Sequence, residues 1–449
     1  MPEADRLKVA VVGSGPAGFY AADALLRGTP PSAVDLFERL PVPFGLVRYG
    51  VAPDHQTIKR VQVAFERTAA QPGFRFFGNV EIGRDLSVEE LRQGYHAVLF
   101  ATGAALDHSL EIPGEDLVGS YAATSFVGWY NGHPDFVDLK FSLAAERAVV
   151  VGMGNVALDV ARILLHDRDE LGKTDISSAA LAALRASPVR EVVLLGRRGP
   201  AQAAFDQGEL EAIADLPNVA VDVDGDVSFA DEASLPSAAR KNLAYLARLK
   251  MEGRGHQPRR LMLRFLASPV ALVGESGHVR GLRIEDNRLV GEGPGVRAEL
   301  IGKIWELETS LVIRSVGYRG VAIPGMPFDS KRNVIPSSAG RVTSTTGEPQ
   351  AGLYTSGWIK RGPSGLIGTN KADSKETVDL LLRDADALRA RTPTLDVAEL
   401  LASRGTRVVS FADYQRIDAT EKARGTERGK VRDKLERVAD MLAAAFPKA

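Results

Sequence analysis

Two glycine-rich turns constrain this chain more than any other feature. Gly13-Ser14-Gly15-Pro16-Ala17-Gly18 follows the apolar run Val9-Ala10-Val11-Val12. Gly152-Met153-Gly154-Asn155-Val156-Ala157 follows Ala148-Val149-Val150-Val151. Each is a G-x-G-x-x-G/A pattern between an apolar strand and a helix, the arrangement that seats a dinucleotide pyrophosphate on a helix N-terminus. Two such turns in one chain point to two dinucleotides and to redox chemistry between them.

In the first turn, Gly13 permits the tight bend, Gly15 lets the backbone approach the pyrophosphate, and Gly18 lets helix and strand pack closely. Val34–Glu38 reads as the next strand, giving β-α-β within the expected span. Glu38 ends it, where a carboxylate accepts hydrogen bonds from ribose hydroxyls. A glycine turn can also be purely structural, but strand, helix and acid together argue for a ligand. Glu38 would repel a 2′-phosphate, so this site suits FAD or NAD. Its N-terminal position and a later strand ending in Thr102-Gly103 favour FAD.

The second turn has no such acid. The strand Val192–Leu195 runs instead into Gly196-Arg197-Arg198-Gly199-Pro200. Two guanidinium groups can grip a 2′-phosphate in forked geometry, which points to NADP(H). A solvated arginine pair on a loop is the common alternative.

Composition narrows the classes further. The chain has 449 residues, a net charge of -1 and no cysteine. Its length allows two or three domains, and its near-neutral charge implies neither nucleic-acid nor membrane binding. Without cysteine there is no disulfide, thiolate nucleophile or Cys-ligated iron–sulfur cluster, and no C-x-x-C of a flavin disulfide reductase. No metal site is expected. The first strand begins close to the N-terminus, leaving no room for a signal peptide, and no run is long and apolar enough to span a bilayer. A cytoplasmic location is expected.

The fold expected is α/β, with two Rossmann-like dinucleotide-binding domains. The NADP domain, 106–330, is inserted into a discontinuous FAD domain made of 1–105 and 331–449. Residues 167–188 look like an insertion, Leu311–Tyr318 like a return crossing, and about Arg428 to Phe446 like an amphipathic surface helix.

Five stretches add a resemblance: Val12–Tyr20, Pro43–His55, Gly154–Arg162, Gly196–Pro200 and Gly357–Asn370. Together they resemble adrenodoxin reductase and the bacterial ferredoxin–NADP(+) reductases of that type, within the glutathione-reductase-like flavoproteins. The resemblance implies an NADPH–ferredoxin oxidoreductase passing a hydride from NADPH to FAD and then single electrons to an iron–sulfur ferredoxin. It also implies that Ala17, Glu38 and Leu46 contact FAD, with Ile82 near the adenine. Trp358, Gly365, Leu366 and Ile367 would lie against FAD, with Gly365 also near the nicotinamide. Gly152, Met153, Gly154 and Asn155 would hold the NADP pyrophosphate, and Arg197 and Arg198 its 2′-phosphate. Glu209 would reach the nicotinamide end, and His55 and Asp159 would line the path toward the partner. Taken by themselves, His55 beside Asp54 can be a structural pair, and Asp159 can face solvent or pair with Arg162 at i+3.

The chain departs from the family pattern after Phe205, where Asp206 and Gly208 replace the usual Thr and Lys. Asp206 adds a carboxylate that could weaken NADP binding or alter its preference. Between Arg240 and Arg264 the cations Arg240, Lys241, Arg248, Lys250, Arg254, Arg259, Arg260 and Arg264 face a single acid, Glu252. Such a patch could steer an acidic ferredoxin; a solvated helix face is the ordinary alternative. A monomer is expected. Two other readings stand beside the main one. One is a flavoprotein subunit resembling the small subunit of glutamate synthase, whose N-terminal cysteine-rich segment is absent here. The other is a non-enzymatic nucleotide-sensing flavoprotein.

Overall fold

The computed structural model describes residues 6–29, 31–228, 235–252, 257–291 and 295–447. By contact density the chain divides into two compact units. One comprises Met1–Leu106, Asn131–Val137 and Tyr318–Ala449; the other comprises Asp107–Tyr130 and Asp138–Gly317. Residues 131–137 and 318–330 therefore group with the first unit, whereas the sequence placed them in the inserted domain.

The first unit is built on a seven-stranded sheet. In spatial order its strands are Ser337–Ser338, Arg341–Thr343, Pro349–Thr355, Ala97–Phe100, Lys8–Val12, Ala33–Glu38 and Phe74–Gly78. The last five run parallel. A parallel sheet is covered on both faces, so its strands are mainly apolar on both. Side-chain alternation assigns Val9 and Val11 to one core with Phe19, Leu25, Leu36 and Phe65. Ala10 and Val12 enter the opposite core with Phe37, Leu91 and Phe100. Lys8–Val12 lies between two parallel neighbours in which Val12 pairs with Phe37 and Phe100, so three strand ends meet at the Gly13 turn.

The second unit holds a six-stranded parallel sheet, ordered Ser120–Ala122, Leu311–Arg314, Arg147–Val151, Glu191–Leu195, Arg259–Arg264 and Val219–Asp224. Leu311–Arg314 is a strand of this sheet rather than only a crossing. The expected insertion at 167–188 forms two helices, Arg168–Gly172 and Ser178–Ala186. A separate antiparallel sheet of Ala267–Glu275, His278–Val290 and Arg297–Glu308 extends from the strand Arg259–Arg264.

The expected C-terminal helix is shorter than the sequence implied. The long helix is Phe411–Glu427, and only Val438–Ala445 is helical after it. The intervening stretch is used for charge pairing. Asp433 pairs with Arg424 and Arg428, and Arg432 with Asp418 and the fully buried Glu421. Glu421 also pairs at 2.5 Å with the buried Arg48 in the short helix Leu46–Tyr49.

Residues 131–137 are tied to the first unit by side chains. Arg39 forks onto Asp135, the His133 ring packs edge-on to Tyr49 at 4.7 Å, and Asn131 accepts from Lys434. Burial lowers the His133 pKa to about 4, against 6.5 for an unhindered ring. The fold therefore favours the neutral ring, and unfolding takes up a proton between those two values. Stability from this group should be complete above pH 6.5 and be lost as pH falls toward 4. Thermal unfolding midpoints across that range should fall less steeply for His133→Phe than for the wild type; parallel curves would show that His133 does not carry the dependence.

Candidate functional sites

The two glycine turns are constructed alike. The Gly13 N–H donates to the Phe37 carbonyl at 2.8 Å and the Gly152 N–H to the Leu195 carbonyl at 2.9 Å, each bonding the turn to the neighbouring strand. Both glycines have positive φ, 102° and 140°. A Cβ on Gly13 would sit 2.6 Å from the Ala101 carbonyl oxygen, and one on Gly152 would sit 2.2 Å from that of Ser315. The second glycine of each turn is different. Gly15 and Gly154 cap the helices Pro16–Leu26 and Asn155–Leu165 with no side-chain hydrogen bond, and a Cβ on either would meet nothing within 4 Å. Each helix thus presents its N-terminal N–H groups, without a side-chain cap, to an open space beside the turn. That is the cradle an anionic pyrophosphate fits.

Around the first turn, Glu38 is held in place. Its Oε2 accepts from the Ser14 hydroxyl at 2.6 Å and the Ser14 N–H at 3.2 Å, and its Oε1 accepts from the Leu40 N–H at 3.1 Å. A carboxylate has about four acceptor sites, so capacity remains for a ribose hydroxyl. The Val80 N–H donates to the Glu38 carbonyl, which sets Ile82 close to the end of the same strand. The Phe44 N–H donates to the Ser14 carbonyl, and Phe44 is held at φ 87°, a region non-glycine residues seldom occupy. This presses Gly45 onto Gly15 and starts the helix Leu46–Tyr49, with Leu46 exposed.

Gly357 approaches from the far end of the unit: a Cβ there would lie 2.7 Å from that of Ala17. Asp373 accepts from the Gly357 N–H at 2.5 Å and pairs with Lys360 at 3.0 Å, and the Ser374 hydroxyl donates to the Ala17 carbonyl. Trp358 is thereby brought to the helix that starts after Gly15, and its Nε1–H donates to the Ser364 carbonyl. Gly365 follows at φ 78°, Leu366 is 59% exposed, and Ile367 packs against the core. The structure thus gathers Ala17, Glu38, Leu46, Trp358 and Gly365–Ile367 around one turn. His55 belongs to the same unit, half-buried at the start of Gln56–Lys59. Sequence reasoning missed Ser14 and Asp373; a serine inside the glycine motif was the one available signal for the first.

Around the second turn, the Ala204 N–H donates to the Met153 carbonyl. Asp206 takes up both halves of the Asn155 amide: its N–H donates to Oδ1 at 2.8 Å and its carboxylate accepts from Nδ2 at 2.9 Å. The unexpected carboxylate is therefore committed to the residue that opens the helix. Asp159 and Glu209 are joined through Arg162, which is 1% exposed and contacts them at 2.6 and 3.2 Å. Arg197 is exposed and Arg198 half-exposed at the end of Glu191–Leu195, and among the described residues neither guanidinium is paired with a carboxylate.

The basic stretch Arg240–Arg264 is not the continuous free patch the sequence implied. Arg254 lies outside the described residues. Arg259 donates to the Leu165 and His166 carbonyls, Arg260 pairs with Asp222, and Arg264 pairs with Asp224 and Asp286. Lys250 donates to the Gly225 carbonyl, and Arg248 lies over the Tyr245 ring and 3.5 Å from Glu252. Lys241 and Arg240 complete the exposed face of the helix Ser237–Glu252. Among the described residues no helix is long and apolar enough to cross a membrane.

Two uncapped dinucleotide turns on parallel sheets define a pyridine-nucleotide-dependent oxidoreductase, and comparison with known proteins agrees. Residues 7–207 match the family model described as pyridine nucleotide-disulphide oxidoreductase. NADPH-ferredoxin reductase FprA of Mycobacterium tuberculosis is 46% identical over 97% of this chain and 98% of its own. The mitochondrial NADPH:adrenodoxin oxidoreductase of Salvelinus fontinalis is 44% identical over 98% of this chain and 91% of its own. A structure of M. tuberculosis FprA in complex with NADPH superposes with a TM-score of 0.93 at 44% identity, covering 98% of this chain and 99% of that one. The chain belongs to the family of the NADPH-ferredoxin and NADPH:adrenodoxin reductases.

The two kinds of glycine should separate in mutagenesis. Gly152→Ala forces a Cβ into a carbonyl at an unfavourable φ and should destabilise by about 3 kcal/mol or more. Gly154→Ala should cost about 1 kcal/mol or less, the scale of a helix N-cap change, yet weaken dinucleotide binding by occupying the open cradle. Thermal unfolding with nucleotide titration checks this; equal instability of both variants would reject the open-cradle account.

Proposed function

We propose that this protein is an FAD-dependent NADPH–ferredoxin oxidoreductase that delivers electrons singly to an iron–sulfur ferredoxin. The observation that carries the reading is the opposite charge at two equivalent places. Glu38 ends the strand beside the first turn and disfavours a 2′-phosphate, whereas Arg197 and Arg198 end the strand beside the second and attract one. The names of the two relatives, an NADPH-ferredoxin reductase and an NADPH:adrenodoxin oxidoreductase, support the same assignment.

In this reading the discontinuous unit takes FAD and the inserted unit takes NADP(H). Gly15 receives the FAD pyrophosphate at the bend that Gly13 permits and Gly18 packs, Ala17 contacts the cofactor, Glu38 takes the ribose, and Ile82 the adenine side. Leu46, Trp358, Gly365, Leu366 and Ile367 lie along the rest of the cofactor. Gly152, Met153, Gly154 and Asn155 receive the NADP pyrophosphate. Bound FAD supplies the conversion between a two-electron hydride donor and a one-electron acceptor. The chain's own residues bind and orient. Arg162 pairs with Asp159 and Glu209 and fixes their direction at the nicotinamide side, and His55 supplies a half-buried imidazole from the FAD-binding unit.

With no cysteine in the chain, the iron–sulfur cluster belongs to the partner. Lys241 and Arg248 on the helix Ser237–Glu252 are the part of the basic stretch proposed to meet it, and their charge should make turnover fall as salt rises. The protein is proposed to act as a cytoplasmic monomer.

Cytochrome c reduction by the purified flavoprotein tests this, with NADPH or NADH and with or without added ferredoxin. We expect strong NADPH preference, large stimulation by ferredoxin, and loss of the preference in Arg197→Ala/Arg198→Ala by about tenfold or more, the scale of charge-assisted phosphate contacts. Flavin reduction without ferredoxin stimulation would remove the ferredoxin assignment. A protein that binds both nucleotides but transfers nothing would be a sensor.

A further inference from the structure

The loop carrying the two arginines is not held by its own strand. Its three consecutive carbonyls are captured by one corner of the chain, where the strand Arg259–Arg264 passes into the antiparallel sheet. The Ala267 N–H donates to the Gly196 carbonyl at 3.0 Å, the Asn287 Nδ2 to the Arg197 carbonyl at 2.7 Å, and the Leu266 N–H to the Arg198 carbonyl at 3.1 Å. Leu266 is held at φ 54° to make this corner, and its own carbonyl accepts from the Asn287 N–H at 2.8 Å.

Asn287 is central to the arrangement. It is 6% exposed, and its two amide hydrogens go to the Arg197 carbonyl and, at 2.8 Å, to the Ser268 hydroxyl oxygen. That fixes the orientation of the amide, because a flipped amide would set an acceptor against the Arg197 carbonyl. With the carbonyls so held, Arg197 is exposed and Arg198 half-exposed, and neither guanidinium is paired with a carboxylate among the described residues.

We infer that Asn287 is a positioning residue for the 2′-phosphate clamp and thereby helps to set the preference for NADP(H) over NAD(H). It touches no nucleotide in this account. It acts by fixing the backbone of Arg197, so that the guanidinium direction is set before the ligand arrives. The inference rests on the assignment of Arg197 and Arg198 to the 2′-phosphate.

The test is binding of 2′,5′-ADP and of 5′-AMP to the FAD-loaded protein by calorimetry, two ligands that differ only in the 2′-phosphate. Asn287→Ala should weaken 2′,5′-ADP by about tenfold, the order carried by one buried hydrogen bond, and leave 5′-AMP unchanged. In turnover, the KM for NADPH should rise while kcat and the NADH kinetics stay as they were. Ser268→Ala, which leaves the bond to Arg197 in place, should keep the wild-type ratio. Asn287→Thr fills more of the space but is too short to reach the carbonyl, and carries the same expectation if Asn287→Ala does not fold. Parallel losses for both ligands would mean a general structural role and overturn the inference, as would no change in either. If the wild type itself does not discriminate, or Arg197→Ala/Arg198→Ala keeps the discrimination, the clamp assignment fails with it. If that double variant loses discrimination and Asn287→Ala keeps it, only the role of Asn287 is rejected.

Discussion

A strand that passes directly into a helix above a parallel sheet must turn its backbone where neighbouring strand ends also converge, and there is no room for a side chain on the inner side of that bend. Everything else in both sites depends on this. Gly13 faces the Ala101 carbonyl and Gly152 the Ser315 carbonyl, each from the strand alongside, so the first glycine of each turn is fixed by sterics within the protein. The second glycine is fixed by nothing in the protein, which is why its place is best understood through a ligand. The same geometry aims each helix N-terminus at the open side, so its N–H groups and dipole act together on an anion.

With the two turns built alike, the difference between them lies at the next strand end, where the charges are opposite. Glu38 is kept at its post by the Ser14 hydroxyl and two backbone N–H groups. Arg197 and Arg198 carry the opposite charge at the corresponding place. The pairing of other cations sharpens the contrast. Arg260 and Arg264 are matched with acids on Val219–Asp224, and Arg259 caps the end of the helix Asn155–Leu165. Among the described residues, the two arginines beside the turn have no carboxylate partner.

The sequence made the turns and the strands that flank them legible, because each rests on a local pattern: apolar run, glycine spacing, terminal charge. What it did not show depends on distance along the chain. The basic stretch looked free because its partners, Asp222, Asp224 and Asp286, come from other strands; Arg264 stands in parallel register beside Asp224. The segment 428–437 looked like part of an amphipathic helix, yet Asp433 and the buried Glu421 use its charges to fold it back on Phe411–Glu427. Asp373 and Ser374 were invisible as site residues because their targets, Gly357 and Ala17, meet only when the two ends of the unit share a sheet.

The way the arginines are held follows from their own flexibility. A long, exposed arginine loses on the order of 2 kcal/mol of rotamer freedom when it is ordered on a ligand. That loss cannot be avoided, but backbone disorder would add to it, at about 1–2 kcal/mol for each residue fixed. Capturing the carbonyls of Gly196, Arg197 and Arg198 during folding removes the backbone contribution from the binding step. Only side-chain torsions are then left for the ligand to order. The acidic counterpart needs no such device, because Glu38 is short and its carboxylate is already bonded at both oxygens. A single asparagine from a distant strand therefore does for the cationic site what the turn's own serine does for the anionic one.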